Sequence, residues 1–421
     1  MERLILTAIQ RYNNSVSENT EKSAAVCPKE DYMNTIEKFN SHVMQSYGRY
    51  PLVMEEGSGR RCKDDNGREY IDFGSGIGTN SLGYCNEKWA DAVCAQVRTL
   101  QHSSNYYYTA VQAEFAEKLC DIAGYDSVFF GNSGAEANEC AIKLARKYSF
   151  DKYGKGRHTI ITLVNSFHGR TLATLSATGQ DVFHQYFFPF VEGFVNVTAN
   201  DIGDLRAKLE DETVCAVMLE YIQGEGGVNV LTQEFVDAVF DICASKDILV
   251  IADEVQTGTG RTGKFLAGDN YGRKADITTL AKGIAGGLPM GACLANKKCS
   301  GVLTAGTHGS TFGSNPVACA GGIAVLDTVG SEGFLDEVCK KGEYIRNALS
   351  ECSEVVSVDG IGLMIGAVLK SKDAHDVAQK ALDKGLLILT AKEKIRLLPP
   401  LNISYDELKD GLKILIEILE E

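Results

Sequence analysis

With 421 residues, 44% hydrophobic and 23% charged, the chain has the make-up of a soluble globular protein larger than one ordinary domain. Its formal net charge of −14 argues against nucleic acid, whose binding is dominated by basic contacts to phosphate, and no run reaches the ~18 apolar residues of a membrane span. The 13 cysteines include no CxxC pair and follow no secretory signal, so reduced thiols in a cytoplasmic protein are expected, with no disulfide framework and no metal site.

Residues 1–30 form an extension of unassigned role. Met1–Tyr12 reads as a short amphipathic helix, and Glu2, Glu18, Glu21 and Glu30 count against an organelle presequence. Tyr50–Phe73, with its Asp65-Asn66-Gly67 turn, reads as strands, and segment 31–73 is expected to join a small domain. Residues 74–325 alternate apolar runs with helical patterns. Ser127–Phe130 is a strand candidate and Glu136–Tyr148 an amphipathic helix. His158–Val164, Val214–Leu219 and Ile248–Ala252 are nearly continuous apolar runs, as strands of a sheet covered on both faces read. Phe235–Ser245 reads as the helix before the last of these, and Ile277–Leu280 as a further strand. The expected fold class is α/β, with a largely parallel sheet in the large domain. A smaller α+β domain follows over 326–421: helix Glu332–Cys352, strand Gly362–Leu369, helix Asp373–Lys384, strand Leu386–Leu389, and a last helix opening on a capping box at Ser404–Glu407.

Three apolar runs finish in polar residues, and open α/β sheets bind ligands at the carboxyl ends of their strands. Glu220 follows one, Asp253-Glu254 another and Lys282 the third. An acid closing an apolar strand is costly to bury unless a cation meets it. One such acid would normally cap the next turn; three chemically complementary strand ends point to a site. Lys282 stands among Gly283, Gly286 and Gly287, which permit close backbone approach, and a buried lysine has the lowered pKa that suits Schiff-base formation. Asn132-Ser133-Gly134-Ala135-Glu136 follows a strand and opens a helix, so its free amides suit a phosphate, although a plain Ser-capped helix start would read the same. Gly258–Lys264 satisfies most of a phosphate-loop pattern but has Phe265 where Ser or Thr should ligand magnesium. His102, His168 and His308 lack metal-ligand spacing.

Together with Tyr47–Leu52, Asn80–Gly83, Phe167–Thr171, Asp253–Gly258 and His308–Gly313, these residues resemble the class III aminotransferases of fold type I, from about Tyr47 to the C-terminus. The resemblance implies pyridoxal 5′-phosphate as cofactor and catalysis by Lys282 and Asp253. Lys282 would bind the cofactor covalently and shuttle a proton, and Asp253 would pair with the ring nitrogen. Gly134, Ala135 and Thr311 would hold the phosphate, Gln256 would sit near the ring hydroxyl and Phe167 would stack on the ring. Arg170 would clamp a distal carboxylate, and Arg396 would take glutamate's α-carboxylate once its partner Glu220 swings aside. Ser310 would contact substrate. Thr311 and Ser310 would come from a second subunit of a homodimer. The implied reaction moves an amino group from N2-acetyl-L-ornithine to 2-oxoglutarate. Ornithine, succinylornithine or 4-aminobutyrate are the alternative donors, and an aminomutase or racemase is the alternative from another class. The chain departs from the family pattern at Tyr84-Cys85-Asn86, Tyr221 and Ser314.

Overall fold

A seven-stranded sheet carries the site. The computed structural model describes residues 34–421; the expected helix Met1–Tyr12 and the extension 1–30 lie outside them. Residues up to Val53 belong to one unit and Met54–Glu421 to another. In the first, Asn34 and Glu37 close a capping box at the start of helix Thr35–His42. The division falls within the segment expected at 31–73, whose part from Met54 onward supplies the strands Met54–Ser58 (β1), Arg61–Asp64 (β2) and Glu69–Asp72 (β3).

The large sheet comprises Ser127–Gly131 (β4), Thr159–Leu163 (β5), Phe194–Val197 (β6), Val214–Leu219 (β7), Leu249–Asp253 (β10), Ile277–Leu280 (β11) and Gly291–Ala295 (β12). The short pair Ile222–Gln223 (β8) and Asn229–Val230 (β9) hangs between β7 and β10 in the chain. The order is β4-β12-β11-β10-β7-β5-β6. β12 is antiparallel to both neighbours, and the remaining pairings are parallel. Every residue of β5, β7, β10, β11 and β12 is buried, which is why β5, β7 and β10 read as nearly continuous apolar runs. β10 lies between β7 and β11, with Ala252 paired to Leu219 and Asp253 to Thr279. The three polar strand ends are thereby brought side by side.

The C-terminal part holds a second sheet, Val355–Ile361 (β13), Met364–Leu369 (β14), Leu389–Ala391 (β16) and Lys394–Leu397 (β17), in the order β13-β14-β17-β16. Helices Phe334–Ser350, Ala374–Asp383 and Tyr405–Glu420 accompany it, the last opened by the Ser404–Glu407 capping box. The single strand expected over Leu386–Leu389 is two. Leu386–Leu387 (β15) pairs in parallel with β3, whereas Leu389 begins β16 in the other sheet. A continuous apolar run gives no period from which such a sheet switch could be read. The boundary expected at 325/326 falls inside helix Pro316–Val329.

The segment that partly matches a phosphate loop is internal. Arg261 is 2% exposed and donates to the carbonyls of Leu363 at 3.1 Å and Pro399 at 2.5 Å, so it ties the Gly258–Lys264 turn to the C-terminal sheet. Burial alone pulls its guanidinium down to about 9. Arg261→Ala should strand two buried carbonyls and lower the unfolding free energy by about 3 kcal/mol, read as an earlier urea midpoint at unchanged slope.

Candidate active site

Asp253 is 4% exposed at the end of β10, and its carboxylate is surrounded by donors. Oδ2 accepts from His168 Nδ1 at 2.7 Å and from Asn138 Nδ2 at 2.8 Å, and Oδ1 accepts the Val255 amide at 3.0 Å. Asn138 is fixed in turn by Thr279, whose hydroxyl donates to its Oδ1 at 2.7 Å. Burial works against a charged His168, but the hydrogen bond and charge of Asp253 outweigh it and hold the imidazole above its ordinary pKa. Oδ1 of the carboxylate keeps a lone pair for one more N–H.

Lys282 opens the turn after β11 with φ +48°, in the left-handed region that a side chain adopts only under constraint. The turn is pinned by Ser81 Oγ donating to Gly283 O at 2.9 Å and by Trp89 Nε1 donating to Ala285 O at 3.0 Å. Burial pushes the Lys282 amine below its ordinary pKa; Glu225 and Asp253 pull the other way without reversing it. A cavity of about 430 Å³ is lined by Lys282 and Asp253 together with Gly134, Ala135, Phe167, Arg170, Glu220, Glu225 and Gln256.

At one wall, helix Gly134–Tyr153 begins with Ser133 accepting the Glu136 amide at 3.2 Å, and Gly134 and Ala135 are its first residues. A Cβ on Gly134 would meet Val255 at 2.7 Å, and one on Gly291 of β12 would meet Ser133 O at 2.1 Å. Glycine is therefore required on both sides of this cradle. Its free amides, positive helix end and lack of side-chain bulk fit a phosphate. With the accepting carboxylate of Asp253 and the low-pKa amine of Lys282 in the same cavity, the residues present fit pyridoxal phosphate.

The anion-binding side needs one correction. Arg396 was expected against Glu220; its partner is Glu225, with Nη1–Oε1 2.7 Å. Nη1 of Arg396 also reaches Gln256 Oε1 at 3.3 Å, and Gln256 Nε2 donates to Glu225 Oε1 at 3.2 Å, so Gln256 belongs to this ion pair. Burial works to raise the Glu225 carboxyl, but Arg396 outweighs it and holds it below the usual range. Glu220 instead accepts the amides of Phe167 at 2.9 Å and Gly224 at 3.3 Å, and burial lifts its carboxyl to about 7. Two amides from separate loops satisfy it, so it needs no guanidinium. Arg170 lies over the rings of Phe183 at 4.1 Å and Phe167 at 5.4 Å, with no carboxylate in ion-pair range among the described residues. Ser310 Oγ accepts from Asn132 Nδ2 at 3.2 Å, while the exposed Thr311 lies outside this chain's own cavity lining.

Glu225, His168 and Asn138 were not foreseen. Glu225 did carry a signal: an acid between Gly224, Gly226 and Gly227 resembles the glycine-flanked Lys282. His168 and Asn138 act on Asp253 from other elements, and single-chain spacing does not reveal such contacts. The departures are absorbed structurally. Tyr84 donates to Asp72 at 2.8 Å, Tyr221 stacks on Tyr271 at 5.1 Å, and Ser314 donates to Asn105 Oδ1 at 3.2 Å.

Residues 43–419 match the family model for class III aminotransferases. An acetylornithine aminotransferase of Haemophilus ducreyi is 49% identical over 382 residues, covering 90% of this chain and 97% of that one. One from Methanocaldococcus jannaschii is 42% identical over 393 residues, covering 92% and 98%. Among solved structures, an ornithine aminotransferase from Toxoplasma gondii superposes with TM-score 0.88 at 32% identity, covering 92% and 96% of the two chains. An acetylornithine aminotransferase from Elizabethkingia anophelis gives 0.81 at 32%, covering 91% and 97%.

Proposed function

The chain belongs to the class III aminotransferases, and from that premise we propose that it moves the δ-amino group of N2-acetyl-L-ornithine to 2-oxoglutarate. The products are N-acetylglutamate 5-semialdehyde and glutamate, a step of arginine biosynthesis that we assign to the cytoplasm. The observation that carries this reading is the unequal state of two guanidiniums: Arg396 is masked by Glu225, and Arg170 is not.

Pyridoxal phosphate, the cofactor of this family, supplies an electrophilic carbon for the amine and an electron sink for the charge left when the substrate proton departs. The protein does the rest. Lys282, its amine held below the ordinary pKa by burial, would bind the cofactor covalently and then take and return the substrate proton. Asp253, held in place by His168, Asn138 and the Val255 amide, would keep a proton on the ring nitrogen. The amides of Gly134 and Ala135 would take the phosphate, and Phe167 would pack on the ring. Glu220 anchors Phe167 through its amide.

A donor with one carboxylate far from its reacting amine needs one guanidinium, Arg170, which can bind it bidentately. Glutamate has two carboxylates, so it needs Arg396 as well, and Glu225 must release it. The four donors acetylornithine, ornithine, succinylornithine and 4-aminobutyrate separate the candidates in single-turnover loss of the cofactor's visible band. Acetylornithine should react fastest; a clear lead for any other would replace it as substrate. Glu225→Gln should shift the ratio of half-reactions by roughly tenfold in glutamate's favour, about 1.4 kcal/mol. Equal slowing of both would mean a static ion pair.

The site is proposed to be shared in a homodimer, with Ser310 and Thr311 serving the neighbouring cavity. Tyr106, Tyr107, Tyr108 and Phe312 are all strongly exposed. Asn105 ties this segment to the Ser310–Gly313 loop through the carbonyls of Ser310 at 3.0 Å and Gly313 at 3.1 Å. An aromatic patch of this kind around a site loop suits burial against a second copy.

A further inference from the structure

A second reactive cluster lies behind the phosphate cradle. A cavity of about 230 Å³ is lined by Cys140, Cys293, Cys299 and His308, with Phe129 in its wall. Cys140 is on the inner face of helix Gly134–Tyr153, Cys293 is on β12, and the three thiols are essentially buried. His308 packs on Phe129 with ring centroids 4.5 Å apart. Lys143 Nζ stands 2.8 Å from its Nδ1. An ammonium can only donate, so Nδ1 accepts and the ring proton sits on Nε2, the form that can donate to a thiolate. The neighbouring Cys293 and His308, with the charge of Lys143, outweigh burial and hold the Cys140 thiol below the ordinary value; Cys293 is raised correspondingly.

The same elements carry the cofactor site. Gly134 and Ala135 are the first residues of the helix that bears Cys140. Gly291, two residues before Cys293, is packed so closely on Ser133 that a Cβ would not fit. His308 leads into Ser310, which accepts from Asn132 in the cofactor cavity. Any movement that draws Cys140 and Cys293 together therefore acts directly on the phosphate cradle.

We propose that Cys140 and Cys293 form a peroxide-responsive modification site that weakens cofactor retention when oxidised. The Cys140 thiolate attacks one oxygen of hydrogen peroxide; the O–O bond breaks, Cys140 becomes a sulfenic acid, and the departing hydroxide takes a proton and leaves as water. The Cys293 thiol then attacks the Cys140 sulfur, forming an S–S bond and releasing a second water. Two thiols are oxidised by two electrons and one peroxide is reduced. A structural buried cysteine is ordinarily inert; the cavity, the imidazole and the ammonium distinguish Cys140 from Cys243 or Cys319.

Hydrogen peroxide added to the cofactor-loaded enzyme tests this by peptide mapping and by the visible absorbance kept after gel filtration. The expected result is a linked peptide joining Cys140 to Cys293, with loss of bound cofactor that dithiothreitol followed by added cofactor restores. Cys140→Ser and Cys140→Ala should both keep their cofactor under peroxide. Cys293→Ser should stop at a sulfenic acid on Cys140 that a cyclic 1,3-diketone traps. The proposal is overturned if Cys140 is modified more slowly than the exposed Cys85 and Cys94. It is equally overturned if the linked peptide forms without cofactor loss, or if a folded Cys140 variant loses cofactor as the parent does.

Discussion

Lys282→Ala should fold, bind no cofactor covalently and lose activity by ~10²–10⁴-fold or more, the range of a positioned acid–base group with covalent capture lost in addition. The sign on stability is opposite to the usual core deletion. Lys282 is held at φ +48°, and alanine inherits that strain, but the variant no longer buries an amine away from water. Its unfolding midpoint should match or exceed the parent's, and Lys282→Gly should gain a further ~1 kcal/mol from relief of the left-handed backbone. Near-ultraviolet dichroism and urea denaturation verify the fold, and visible absorbance after cofactor addition gives the chemical result. A variant that keeps the visible band would remove Lys282 from its role. A destabilised one would show that the turn after β11 depends on the lysine rather than on Ser81 and Trp89 beneath it.

Strands β5, β7, β10 and β11 were legible because they are buried on both faces; β7 and β11 have the very bounds their sequence suggests, whereas the partly exposed β6 gave no such signal. β12 was not, because Gly291–Ala295 follows the glycine-rich stretch after Lys282 and returns antiparallel, which no local pattern signals. Within the site, Lys282, Asp253 and Gly134 were legible as polar or glycine residues at strand ends and a helix start. The partner of Arg396 was not. Glu220 and Glu225 are both acids shortly after β7, and sequence gives no reason to prefer the second. The turn over Tyr221–Gly224 decides it: it folds the Gly224 amide back onto Glu220 and sends Glu225 to the guanidinium. Registers set by loops of this kind depend on long-range contacts, which chain order does not encode.

Asp253→Asn is expected to retain the fold and the cofactor yet slow turnover by roughly 10²–10³-fold, the usual effect of removing a preorganised electrostatic partner. The substitution preserves size but takes away the charge proposed to keep a proton on the ring nitrogen. It also sets an amide among three donors, so either the Val255 amide or both His168 and Asn138 lose their acceptor. His168 provides an independent readout. Its pKa is raised from the ordinary 6.5 by Asp253, so the stability it contributes is fully present below 6.5 and is lost as pH rises through the raised value. The stability gap between parent and Asp253→Asn should therefore be widest at low pH and narrow above that point, and the His168 ring should titrate lower in the variant by NMR. Asn138→Ala separates the two functions of the network. It leaves the charge and the His168 contact intact, so it should slow turnover far less than Asp253→Asn while leaving the His168 titration raised. Equal losses from the two variants would mean that the orientation of Asp253, fixed through Thr279 and Asn138, matters as much as its charge.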